Sequence, residues 1–191
     1  MTFTFPRIGR TTAVAGAFAA ALALAAPASA ANPTVGGAPM MHDMTIVQNA
    51  SKADNLTTLV AAVKEAGLVD TLSGDGPFTV FAPTDMAFGK LPDGTVDKLM
   101  QPDMDAQLKH VLTYHVVAGE MTAEDLMAAV KKGGGEANLE TVSGDTLTAK
   151  MDGDALVVID EKGNGATVQQ ADVMQSNGVV HVIDSVLMPT M

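Results

Sequence analysis

The spacing of apolar residues changes once along this chain, and that change limits the fold it can adopt. Before about residue 139 they recur at the spacing of a helix face, and from Leu139 onward they alternate. Leu56, Leu59, Val60 and Val63 stand at i, i+3, i+4 and i+7, with Leu68, Val69 and Leu72 extending the same side. Asn55 occupies an N-cap position for this helix and Gly74 a stop position. Phe78-Thr79-Val80-Phe81-Ala82 is short, aromatic and β-branched, so it reads as a strand, and Pro83 ends it. Thr84 caps a short helix beginning at Asp85 that is expected to bury Met86, Phe88 and Leu91. Two more helices are expected: residues 105–112, through Leu108, Val111 and Leu112, and residues 122–132, through Leu126, Ala129 and Val130. Thr122 and Asp125 give the second a T-x-x-D start, and Gly133-Gly134-Gly135 closes it.

Strands follow at residues 139–142, 146–151, 155–159, 166–174 and 179–187, separated by turns rich in Gly, Asp and Asn. The last turn, Asn177-Gly178, is a strong hairpin signal because both residues tolerate positive φ. Helices first and antiparallel strands afterwards argue for an α+β fold over a doubly wound parallel one. In residues 179–183 both strand faces are apolar, Val180 and Val182 on one and Val179, His181 and Ile183 on the other. Such a strand is buried on both sides, so His181 is expected inside, hydrogen-bonded.

The first 30 residues stand apart. Arg7 and Arg10 precede an uncharged run of 14 residues from Ala13 to Ala26, and Pro27 then leads into Ala28-Ser29-Ala30. That is the pattern of a secretory signal peptide, and its apolar run is shorter than the ~20 residues a membrane span needs. Cleavage after Ala30 takes 30 of 191 residues and leaves 161. The leader holds two of the 11 basic residues and none of the 22 acidic ones, so the mature charge is nine minus 22, or −13. Residues 31–43 open with a Gly-, Pro- and Ala-rich stretch lacking periodicity and read as a flexible lead-in, ahead of one domain over residues 44–189.

Composition removes whole classes of function. So acidic a chain does not neutralise nucleic-acid phosphates. The absence of Cys removes disulfides, thiolate metal sites, thiol nucleophiles and lipidated cysteine. An exported domain without disulfides must be held by its core alone, and one of this size buries ~70% of its unfolded surface.

Three segments together resemble the fasciclin domain family. The first is Phe78-Thr79-Val80-Phe81-Ala82-Pro83-Thr84-Asp85-Met86-Ala87-Phe88. The second is Leu112-Thr113-Tyr114-His115-Val116-Val117, and the third runs from Asn177-Gly178 through Val179-Val180-His181-Val182-Ile183-Asp184 to Pro189. The resemblance implies a wedge of antiparallel strands with several helices packed around it. It also implies a secreted or surface-displayed adhesion module that binds a cell-surface or matrix protein or glycan, without catalysis and without a cofactor. The Ala-rich leader suggests a bacterial source and a periplasmic or extracellular location. By the same resemblance, Tyr114 and His115 match an element linked to adhesion, although their apolar flanks favour a structural role. Asp172 and Val173 match the family's Asp-Ile adhesion motif, with Val in place of Ile, and are expected to present a carboxylate and an apolar knob at a strand end.

Other constellations carry less. Met40, Met41, His42 and Met44 gather soft thioethers and an imidazole, a set that can hold Cu(I) and supports an alternative reading as a periplasmic copper or small-ligand binder. Against it, most methionines here read as core filler. The zinc pattern HExxH and the G-x-S-x-G elbow do not occur. Asp160 to Gly165 resembles a calcium loop only faintly, and a hairpin turn explains it.

Overall fold

The structure, a computed structural model, describes residues 32–92 and 94–190, so the leader expected over 1–30 lies outside the described residues. A small hairpin comes first, β1 (Thr34–Val35) and β2 (Ala38–Pro39). Helices α1 (Ile46–Ala50), α2 (Thr57–Glu65) and α3 (Val69–Leu72) precede strand β3 (Phe78–Pro83). Next come α4 (Asp85–Phe88), α5 (Thr95–Leu99), α6 (Asp105–Tyr114), strand β4 (Val116–Ala118) and α7 (Ala123–Lys132). Five strands finish the fold: β5 (Glu136–Glu140), β6 (Thr146–Asp152), β7 (Ala155–Ile159), β8 (Gly165–Gln175) and β9 (Gly178–Ile183). The α+β expectation holds, with α1, α5, β4 and the first hairpin as elements the periodicity did not reveal.

Seven strands pair in the order β4-β3-β9-β8-β7-β6-β5. Every neighbour pair is antiparallel except β3 and β9, which run parallel in register from Phe78 with Gly178 to Pro83 with Ile183. A bridge between Val117 and Thr141 links the two edges, and Val142 N–H donates to Val116 O at 2.7 Å. The sheet therefore curls back on itself as a barrel-like wedge, which removes exposed edge hydrogen-bonding groups at that seam.

Alternation along β3 and β9 then serves two cores at once. Val80, Ala82, Val180 and Val182 pack with Ile46, Leu59, Val63 and Leu112 from the helices. Phe81 and Ile183 pack on the other face with Tyr114, Leu126, Leu147, Val158 and Leu187 inside the curled sheet. The double-sided burial read from residues 179–183 is what the structure has, since all six residues of β9 are buried.

Helix ends show where local reading succeeds. Thr84 accepts Ala87 N–H, and Thr122 with Asp125 forms a capping box on α7. At α2 the expected cap fails. Asn55 lies one residue too early, its Oδ1 buried beside Gly36 without a hydrogen-bond partner. The Asp85 carboxylate takes over from α4, accepting Thr58 N–H at 2.8 Å, Thr57 N–H at 3.3 Å and the Thr57 hydroxyl at 2.8 Å. Burial pushes the Asp85 pKa up, and these hydrogen bonds outweigh it, so the carboxyl sits below its ordinary range.

The expected burial of Met86 is corrected. Met86 is 73% exposed, because α4 is a single turn pinned through Asp85 to α2, and it turns Ala87 inward instead. Within the segment expected as a flexible lead-in, Val35 and Met40 pack into the helix-side core, and Met40 N–H donates to Pro33 O at 2.9 Å. Gly36 and Gly37, both at positive φ, make a turn too tight for any periodicity to show.

Asp85→Ala is expected to cost about 1–2 kcal/mol by stripping the cap from α2, whereas Met86→Ala next to it stays within ~0.5 kcal/mol of wild type. Urea unfolding of the two variants side by side checks both values.

Candidate functional site

The two histidine stretches lie inside the fold. Tyr114 and His115 end α6, both buried. The Tyr114 hydroxyl donates to Thr146 O at 3.2 Å and accepts Glu161 N–H at 3.1 Å, and burial pushes its pKa up to about 12. His115 Nδ1 donates to Val111 O at 2.8 Å, which leaves Nε2 to accept Leu187 N–H at 3.0 Å. Burial lowers its pKa to about 4, against the pull of the Val111 carbonyl and the Asp160 charge. Both ring nitrogens are spent in the neutral state, and one of them anchors the segment after β9.

His181 repeats the scheme in the opposite tautomer. Nε2 donates to Met121 O at 2.9 Å, and Nδ1 accepts Asp172 N–H at 3.4 Å. Its ring stacks on Phe81 with centroids 5.6 Å apart. Burial again lowers the pKa, opposed by the Met121 carbonyl and the Asp172 charge. The expectation of an interior, hydrogen-bonded His181 agrees with this geometry.

The structure separates Asp172 from Val173. Asp172 is exposed, and Val173 is 1% exposed within the helix-side core. Register shifts between Val168 and Gln170 and between Gln170 and Val173 bulge β8 here. Asp172, at φ 56, is the only non-glycine residue with positive φ among the described residues. A bulge resets the alternation, so the carboxylate turns out and the valine turns in. The apolar knob expected at Val173 is thus not presented. Asp172 Oδ1 accepts Ala123 N–H at 2.7 Å, at the N-terminus of α7, where a negative charge is favoured. Around it, Glu120, Glu124 and Asp125 are exposed. Glu120 also lines an open cleft of ≈ 400 Å³ shared with Asp75, Ser73, Ser176 and Asn177.

The methionine cluster does not converge. Met40 is buried in the core, the Met41 sulfur accepts from Asn32 Nδ2 at 3.3 Å, and the Met44 sulfur accepts from Lys52 Nζ at 2.9 Å. His42 is exposed beside them. Among the described residues no group of three His, Cys, Asp or Glu side chains is placed to hold a metal ion. At the faint calcium loop, the buried Asp160 carboxylate is filled by N–H donors from Lys162, Asn164 and Met188. Sequence reasoning set Asp160 in a hairpin turn and missed its role as an acceptor for donors from the turn and from Met188.

The polar side chains of the recognised segments share this inward use. Thr79 takes Met121 N–H and donates to Gly119 O. Asn177 joins α1 to the loop after α3. Asp184 accepts Thr167 N–H at 2.8 Å and pairs with Lys90 at 3.1 Å. A family model described as the fasciclin domain matches residues 54–189. The chain belongs to the fasciclin domain family. Protein sll1483 of Synechocystis sp. is 49% identical over 149 residues, spanning 78% of this chain and 75% of that protein. Immunogenic protein MPB70 of Mycobacterium bovis is 37% identical over 198 residues, spanning 93% of each. The solved FAS1 domain pair of the insect cell adhesion molecule fasciclin I superposes with a TM-score of 0.68 over 76% of this chain and 51% of that one. At 23% identity this is a likeness of fold. Among the described residues of this fasciclin domain, no helix is long and apolar enough to cross a membrane.

Acid should expose the cost of keeping the histidines neutral. Between the unfolded pKa of ~6.5 and the folded value of about 4, the unfolded chain binds a proton that folded His115 refuses. Its contribution to stability therefore falls as pH drops through that window, by ~1.4 kcal/mol per pH unit, and levels off below it. Urea titrations from pH 7 to 4 should show this slope, and His115→Gln should lower proton uptake on unfolding at pH 5 by about one proton. His181→Ala should cost ~2–4 kcal/mol through a cavity and unmatched partners, read as a lowered urea midpoint at neutral pH.

Proposed function

We propose that this protein is an exported recognition module of the adhesion kind, which works by binding a partner and not by catalysis. The observation that carries this reading is the division of polar groups. The signature side chains Thr84, Asp85, Tyr114, His115, Asn177, His181 and Asp184 are engaged in hydrogen bonds within the fold, while exposed carboxylates collect on the rim around Asp172. The insect cell adhesion molecule that shares the fold supports the same class of role. A leader over residues 1–30, removed on export, would place the domain in the periplasm or at the cell surface.

The rim is the proposed contact. Asp172, Glu120, Glu124 and Asp125 are exposed, and Asp75 lines the same cleft as Glu120. The chain carries a net charge of −11, so complementarity favours a partner with a basic surface, and steering by charge would raise the rate of encounter. A cell-surface or matrix protein with exposed Lys and Arg fits better than an acidic glycan. Val173 belongs to this reading as the buried neighbour of Asp172, and Tyr114 and His115 as residues that support the fold from within. Met40, Met41, His42 and Met44 have no part in it: Met40 is buried in the core, and the Met41 and Met44 sulfur atoms meet Asn32 and Lys52 separately.

A panel of cell-envelope and matrix proteins, screened against the folded domain, tests the proposal. Asp172→Asn keeps an acceptor for Ala123 N–H and tolerates positive φ, and it removes only the charge. It is expected to weaken binding about tenfold, or ~1.4 kcal/mol, with its melting temperature close to wild type. Affinity unchanged in Asp172→Asn, or insensitive to salt, would remove the rim as the contact surface.

A further inference from the structure

Two asparagines in this chain are followed by glycine, Asn164 and Asn177, and the fold treats them in opposite ways. A glycine in that position leaves its backbone nitrogen unshielded by a side chain, free to approach the preceding amide carbon. Asn177 is 8% exposed. Its Oδ1 accepts Ile46 N–H at 3.0 Å, and its Nδ2 donates to Leu72 O at 2.8 Å and Gly74 O at 3.0 Å. Gly178 behind it is pressed against the Phe78 backbone. Turning the Asn177 amide toward Gly178 would break three hydrogen bonds, two of them buried.

Asn164 and Gly165 are both exposed, at the turn between β7 and β8. Asp160 N–H donates to Asn164 O at 3.0 Å, and Asn164 N–H returns to Asp160 Oδ1 at 2.8 Å. The next pair, Ile159 with Gly165, is therefore of the kind whose N–H groups point away from each other. Pairing of β8 with β9 starts only at Val168, so the Gly165 N–H faces outward beyond the end of β9. The Asn164 amide is tethered through Nδ2 to Asp160 Oδ2 at 2.9 Å, a tether lying at the surface.

We propose that Asn164 is a site of spontaneous covalent modification, deamidation assisted by its own backbone. The Gly165 nitrogen gives its proton to water and bonds to Asn164 Cγ. The Cγ–Nδ2 bond breaks, and Nδ2 takes up a proton and leaves as ammonia, closing a five-membered succinimide. Water then opens the ring, giving aspartate by attack at the side-chain carbonyl and isoaspartate by attack at the main-chain carbonyl. Water is the sole co-reactant, and nothing is oxidised or reduced.

The product has a structural target. A carboxylate replaces the donor that faced Asp160 Oδ2, and two like charges so close disfavour each other. The same Asp160 oxygen accepts Met188 N–H at 3.1 Å, so the new charge acts on the segment that follows β9. Deamidation thereby marks the age of an exported molecule by loosening its C-terminal end.

The test holds the folded full-length protein at mildly alkaline pH and follows deamidation over time. Trypsin releases residues 163–191 as one peptide, and fragment ions assign the change to position 164 or 177. Asn164 is expected to react at least about tenfold faster than Asn177, a barrier difference of ~1.4 kcal/mol, and the two rates should converge in denaturant. Equal rates in the folded protein, or faster reaction at Asn177, would overturn the assignment. For the consequence, Asn164→Asp should speed hydrogen exchange at the Met188 amide several-fold, and exchange unchanged from wild type would sink that part.

Discussion

The parallel pairing of β3 with β9 governs the rest of the molecule. It sets two strands between two apolar cores, where water reaches neither face. An unmatched buried donor or acceptor there costs ~1–3 kcal/mol, a large share of the ~5–15 kcal/mol by which a domain is stable. Each polar side chain on or beside the pair consequently reaches out to tie down another element. His181 holds the loop before α7 through Met121, Thr79 holds Gly119 and Met121, and Asn177 holds α1 and the end of α3. These polar side chains serve here as cross-links between layers. Their spacing along the chain reflects which elements must meet.

Much of this was legible from the amino acids alone, and the boundary between legible and hidden is physical. Local rules worked where the deciding partner lies within a turn: the Thr84 cap, the Thr122–Asp125 box, and the strand apolar on both faces at residues 179–183. They failed where the partner lies far along the chain. Asp85 caps α2 from 28 residues downstream of Thr57, so no neighbouring residue could announce it, and Asn55 looked correct only because the local pattern was all there was. Met86 failed for a related reason, since a one-turn helix has too few residues to fix its own rotation.

The candidate site was half legible. Position by position, Asp172 and Val173 read as a strand end with a charge and a knob. Two register shifts in β8 are invisible in a sequence, yet they decide which of the two faces water. The positive φ at Asp172 follows from the same bulge, and it suits a residue whose carboxylate bonds a helix N-terminus while its own N–H meets His181. The exposed charge and the buried imidazole are thus joined through one backbone unit.

That junction bears on how any loss of binding in this family member is to be read. Removing Tyr114 or His115 takes away groups that hold Thr146, Glu161 and Leu187 in place, so the fold weakens before any surface is altered. Removing His181 frees the backbone at Asp172, and the rim moves even though no contact residue has changed. A lost interaction then maps to the interior and looks like a binding site. The two causes separate by conditions: a contact responds to salt and to the partner's charge at fixed stability, whereas an internal tie responds to temperature and denaturant with the partner absent. Only side chains that pass the first criterion and are silent in the second belong to the recognition surface; Tyr114, His115 and His181, buried and hydrogen-bonded, are expected to respond in the second.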